Sequence, residues 1–233
     1  MASKSEVTYG AKLNNAKTIV THLRSFSGYT PPTADQSADE LENLASNARQ
    51  ANDLLAGNLS TYSKTVDTRQ RFFEKDANSL EKIMSPIAAT IRSAYGKDSK
   101  ELADITRFVA KIRGEERKKD KKEPTEDSVS QSAKSYGSMT ENFSGLIATL
   151  QKMSAYTPAN KDLSIAALTS KLGTLEQANT AVTIAFGVVK QNRESRNTLF
   201  EQMNVLVQRI KNAVLAQYGL KSPEYALIKG LKV

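Results

Sequence analysis

Apolar residues near the start of the chain fall at Leu13, Ala16, Val20, Leu23 and Phe26, a three-four spacing that puts them on one face of a helix. Phe143, Ile147, Leu150 and Met153 repeat that spacing in the second half. Both predicted helices stop before a Tyr-Thr-Pro loop, Tyr29-Thr30-Pro31 and Tyr156-Thr157-Pro158, where proline holds the preceding residue in extended geometry. The next helices open on side-chain caps. Ser37 with Glu40 forms a capping-box pattern, and Asp162 and Ser164 offer oxygens to the first free backbone N–H groups.

Further on, Leu168, Leu175, Ala178, Val182, Ala185, Val189, Phe200, Met203, Val207, Ile210 and Val214 keep a near-heptad spacing with no proline before Pro223. The pattern predicts one very long helix from about residue 163 to 218, on the order of 80 Å at 1.5 Å per residue. The first half resembles it through Leu41, Leu44, Ala48, Ala51, Leu55, Tyr62, Val66 and Phe73, then Ile83, Ile87, Ile91 and Tyr95, with Pro86 expected to kink it. Gly57 and Gly187 are the candidate break points, since glycine costs about 1 kcal/mol in a helix interior. Each half closes on Tyr-Gly and a short helix beginning Ser99-Lys100-Glu101 or Ser222-Pro223-Glu224.

The two halves correspond along their length. Tyr9-Gly10 returns as Tyr136-Gly137, Gln50-Ala51-Asn52 as Gln177-Ala178-Asn179, Arg69 as Arg196 and Tyr95-Gly96 as Tyr218-Gly219. Matched positions are 127 apart up to Phe73/Phe200 and 123 apart from Ile83/Leu206 onward. Four residues are close to one helical turn, so the expected effect is a rotation of the apolar stripe by only about 40° with the stripe surviving. The expected fold is all-α: an elongated, pseudo-twofold bundle of two tandem copies, residues 1–112 and 128–233, whose equivalent helices share one core. Two separate bundles are the alternative. Residues 113–127, with six basic and six acidic side chains and no apolar face, read as a charged, solvated linker.

Composition narrows the function classes. The chain has no cysteine, which removes disulfides, thiolate zinc sites and cysteine nucleophiles. No apolar run approaches the roughly 20 residues needed to cross a bilayer, and the polar N-terminus is unlike a signal peptide, so a cytoplasmic address is expected. His22 is the only histidine, neither half carries Glu-x-x-His, and glycine-rich phosphate loops and nucleophile elbows are absent. No enzyme activity, metal or cofactor is expected. The net charge of +8 is uneven: residues 1–110 carry 14 basic and 13 acidic groups, residues 128–233 carry 12 and 6.

Three sets of residues are candidates for contact with a partner. Arg69 and Arg196 each continue the apolar stripe one turn before a phenylalanine, where an aliphatic residue is expected, and an inward arginine needs an anion or a carbonyl. Asn52 and Asn179, next to the repeated alanines Ala51 and Ala178 at the seam, are candidate polar register pins. The plain alternative is that the arginines reach the helix edge and the asparagines face water. Tyr29 and Tyr156 are candidates for loop recognition, or for packing beneath the loop. Arg117, Lys118, Lys119, Lys121 and Lys122 are candidate phosphate contacts, opposed by the acidic residues among them.

The segment Tyr218-Gly219-Leu220-Lys221-Ser222-Pro223-Glu224-Tyr225 resembles a motif near the end of uncharacterised bacterial helical proteins. Its counterpart departs from it, with Lys100 in the place of proline and Leu102 in the place of tyrosine. The resemblance implies a bacterial helical protein and no mechanism. The expected function is a non-enzymatic interaction or scaffold protein, with a protein partner or self-association. The alternatives are a nucleic-acid-associated protein using the basic second half and linker, and an anion or small-ligand binder at Arg69 and Arg196.

Overall fold

A computed structural model describes residues 8–114 and 135–233. Seven α-helices account for most of them: α1 (Tyr9–Ser25), α2 (Ala38–Gln70), α3 (Leu80–Tyr95), α4 (Lys100–Arg113), α5 (Tyr136–Leu150), α6 (Ile165–Tyr218) and α7 (Pro223–Ile228). Short 3-10 turns at Ala34–Gln36 and Lys161–Leu163 precede α2 and α6. The described residues contain no β-strand.

The helix starts follow the predicted chemistry. Ser99, Ser135 and Ser222 accept from the backbone N–H groups of Leu102, Ser138 and Tyr225 at 3.2, 3.1 and 3.1 Å. Ser37 accepts from Glu40 N–H at 3.2 Å. At the head of α6 the cap is Ser164, which accepts from Ala167 N–H at 3.3 Å, whereas Asp162 sits within the preceding 3-10 turn. Gly96 and Gly219 end α3 and α6 at φ 94° and 93°, a conformation closed to ordinary L side chains.

Helix α6 is continuous for 54 residues without a break at Gly187, and α2 likewise continues past Gly57. Leu168, Leu175, Val182, Val189, Met203 and Ile210 are buried at seven-residue intervals, and Arg196 occupies the one position left in that series. Leu41, Ala48 and Leu55 form the same series in α2, which Tyr62 and Arg69 extend.

The long helix expected in the first half does not run on to Tyr95. After Gln70 the chain makes a π turn, Arg71–Lys75, then leaves the helix at Asp76, and α3 starts afresh at Leu80. The four residues that distinguish the halves therefore make a break, not an added helical turn. Asp76 and Ser79 are extended, Ser79 N–H donates to Asp76 C=O at 2.9 Å, and Arg71 pairs with Asp76 at 3.1 Å. Pro86 lies inside α3, which continues through it. The two closing helices also differ, since α4 has 14 residues and α7 six. Arg113 ends α4 as a helical residue and donates to Ser85 Oγ at 2.6 Å, with Gly114 as a left-handed cap.

The chain divides into two compact units whose boundaries differ from the sequence halves. Unit 1 takes the described residues up to Thr61 and those from Phe186 onward; unit 2 takes those between Tyr62 and Ala185. The core of unit 1 combines Ile19, Leu23 and Leu41 with Phe200, Met203, Val207 and Ile210. The core of unit 2 combines Phe73, Met84, Ile87 and Ile105 with Met139, Phe143 and Leu146. Each such side chain contributes about 1.5–3 kcal/mol when fully buried. In unit 2, α5 approaches α4 so closely at Gly145 that an added Cβ would lie 2.8 Å from Phe108 Cε1.

Candidate functional site

Each arginine on the apolar stripe is covered by a tyrosine ring inside its own unit. In unit 1 the Arg196 guanidinium lies 3.9 Å from the centre of the Tyr9 ring, and Nη2 also donates to Tyr9 Oη at 3.1 Å. Asn197 Oδ1 accepts from Tyr9 Oη and from Arg196 Nη2, both at 3.0 Å, while Tyr9 meets Phe200 edge-on at 4.6 Å. In unit 2 the Arg69 guanidinium is 4.3 Å from the Tyr136 ring, Phe73 meets that ring edge-on at 4.8 Å, and Tyr136 Oη donates to Glu74 at 3.1 Å. Burial, then the Glu74 carboxylate, pushes the Tyr136 phenol above its usual range.

The two sites are unequal in one respect. Arg69 Nε is buried with no hydrogen-bond partner among the described residues. Asn179 Nδ2 donates to Tyr136 C=O at 3.4 Å, and its Oδ1 is likewise buried without a hydrogen bond. Asn52 lies half-buried on α2 in unit 1. Tyr9 and Tyr136 were not among the sequence candidates. Their recurrence beside Gly10 and Gly137 was the available signal, but nothing local connects Tyr9 with Arg196, 187 residues away.

The loop tyrosines turn inward. Tyr156 is buried and donates to Leu163 C=O at 2.7 Å, across the Tyr-Thr-Pro loop to the turn before α6, and burial pushes its phenol up to about 12. Tyr29 donates to Gln36 C=O at 3.1 Å in the equivalent way. Further staples hold these loops: Ala155 N–H donates to Tyr95 Oη at 3.0 Å in unit 2, and Tyr218 Oη to Ser27 C=O at 3.0 Å in unit 1. A tyrosine so engaged fastens its loop and has little ring to present. Arg117, Lys118, Lys119, Lys121 and Lys122 lie outside the described residues.

Unit 1 carries a concave surface, a groove of about 540 Å³ between the start of α2 and the middle of the C-terminal part of α6. Leu44, Val205 and Leu206 supply its apolar lining, and Val205 is 55% exposed. Asp35 and Arg209 close one side as an ion pair. A hydrogen bond from Thr33, then the Arg209 charge, holds the Asp35 carboxyl below the usual carboxylate range. Glu40 and Glu201 also line the groove, so with Asp35 matched by Arg209 it presents an acidic rim around an apolar floor.

Among the described residues no group of three or more His, Asp or Glu side chains is arranged to hold a metal ion. No helix is long and apolar enough to cross a membrane. Compared with protein-family models, with curated proteins and with solved structures, the chain matches none.

Proposed function

We propose that this chain is a non-enzymatic interaction protein, built from two copies of one helical unit, that uses the groove of unit 1 to hold a partner helix. The observation that carries the reading is Val205, a valine 55% exposed in a concave surface with Leu44 and Leu206 behind it. An apolar floor rimmed by polar groups is the usual form of a site for an amphipathic helix. The acidic rim at Glu40 and Glu201 favours a partner with basic residues flanking its apolar face.

What supports duplication is the recurrence of whole contact sets at matched positions. Tyr9 with Arg196 and Phe200 matches Tyr136 with Arg69 and Phe73, and the Tyr29 bond to Gln36 matches the Tyr156 bond to Leu163.

The test is affinity purification from the native cell with the wild-type chain and with Val205→Glu, followed by reconstitution of each retained protein in pure form. The reading expects a directly binding protein whose affinity falls at least tenfold with Val205→Glu at an unchanged thermal midpoint. Binding that ignores Val205→Glu would sink it.

One observation favours a second reading, a small anion held at Arg69: the buried Nε without a hydrogen bond among the described residues. Phosphate, sulfate and citrate would then raise the thermal midpoint of the wild type and fail to raise that of Arg69→Leu. Equal shifts in both proteins would dismiss the site.

A further inference from the structure

Neither core is made by one half of the sequence. In unit 1, α1 and the first part of α2 bury Ile19, Leu23 and Leu41 in one core with Phe200, Met203 and Ile210 of α6. In unit 2, α3 and α4 bury Ile87 and Ile105 together with Phe143 and Leu146 of α5. The polar contacts cross in the same direction. Arg209 reaches Asp35, Asn15 Nδ2 donates to Lys232 C=O at 2.7 Å, and Lys171 Nζ donates to Asn78 C=O at 2.7 Å. At Gly145 the halves pass so closely in unit 2 that an added Cβ would meet the Phe108 ring. Residues 8–114 thus contribute one face to each of two cores, and residues 135–233 contribute the other face to both.

We propose that residues 8–114 and 135–233 are a mutually obligate binding pair, each half being a docking surface whose occupant is the complementary half of this chain, and that the covalent connection between them is not needed to hold them together. The recognition chemistry is on both sides of each core. One half brings a tyrosine ring to the arginine of the other, and apolar side chains from both halves share each core. The connection acts as a tether that raises the effective concentration of one half near the other, so the intact chain assembles at any dilution. Separated, either half exposes two apolar surfaces, a state that favours rejoining. This inference stands on the two cores and not on the groove or its partner.

The experiment uses the full chain with a site-specific protease sequence placed within residues 115–134, which lie outside the described structure. The uncut protein, checked by circular dichroism, is the folding control. After cutting, confirmed on a denaturing gel, native gel filtration is expected to return both fragments in one peak at the uncut elution volume. The thermal midpoint, independent of protein concentration before the cut, should then rise with concentration, since assembly has become bimolecular. Fragments that elute apart under native conditions, whatever helicity each retains, would overturn the proposal. A midpoint still independent of concentration after cutting would do the same.

Discussion

At the scale of the residue, tyrosine makes this fold's exceptions tolerable. A guanidinium on a heptad stripe faces the cost of leaving water, and a tyrosine ring face offsets about 0.5–2 kcal/mol of it while excluding solvent. Replacing Tyr136 by Leu uncovers Arg69 and removes the hydrogen bond to Glu74, so chemical denaturation should show a loss of about 1–3 kcal/mol. Tyr156 makes a pH-dependent contribution. Burial keeps its phenol neutral up to about 12, while an unfolded tyrosine ionises near 10, so the unfolded state binds fewer protons between those values. Stability from this group is complete below about pH 10 and falls as the pH rises toward 12. Tyr156→Phe should remove that part of the alkaline loss and, through the lost bond to Leu163, cost about 1–2 kcal/mol at neutral pH, both readable from denaturation midpoints across the pH range. The positions of Arg69 and Arg196 were legible in the stripe. Their covering rings were not, because the partner of each comes from the other half of the sequence.

At the scale of the element, spacing and capping predicted nearly every helix, and the failure at residues 71–79 has a physical reason. Counting showed four extra residues but could not say whether they add a turn or break the helix. The composition Asp76-Ala77-Asn78-Ser79 held the answer, since Asp, Asn and Ser compete for backbone hydrogen bonds and favour turns over helix interiors. Glycine gives the sharpest element-level test. Gly57 and Gly187 have nothing within 4 Å of an added Cβ, so Ala at either site should stabilise by about 0.5–1 kcal/mol through helix propensity. At Gly145 the Phe108 ring must move, and Gly145→Ala should instead destabilise by about 1–3 kcal/mol. Thermal unfolding of the three variants checks both signs.

At the scale of the whole molecule, the all-helical class was legible and the pairing of segments was not. Phe73 and Phe200 sit on similar apolar stripes, so Tyr9 is as complementary to Phe73 of its own half as to Phe200 of the other, and periodicity has no term that distinguishes the two. Folding decides it, and the structure joins the opening of each half to the later part of the other. The groove of unit 1 was unreadable for the same reason, because Leu44 and Val205 become neighbours only through that crossed pairing. The most direct measurement is the set of aromatic nuclear Overhauser effects in protein labelled on tyrosine and phenylalanine rings, assigned with Phe73→Leu and Phe200→Leu. Ring separations of 4.6 and 4.8 Å predict cross-peaks joining Tyr9 to Phe200 and Tyr136 to Phe73. Cross-peaks joining Tyr9 to Phe73 and Tyr136 to Phe200 would contradict the crossed pairing on which both cores, the groove and the obligate association of the halves depend.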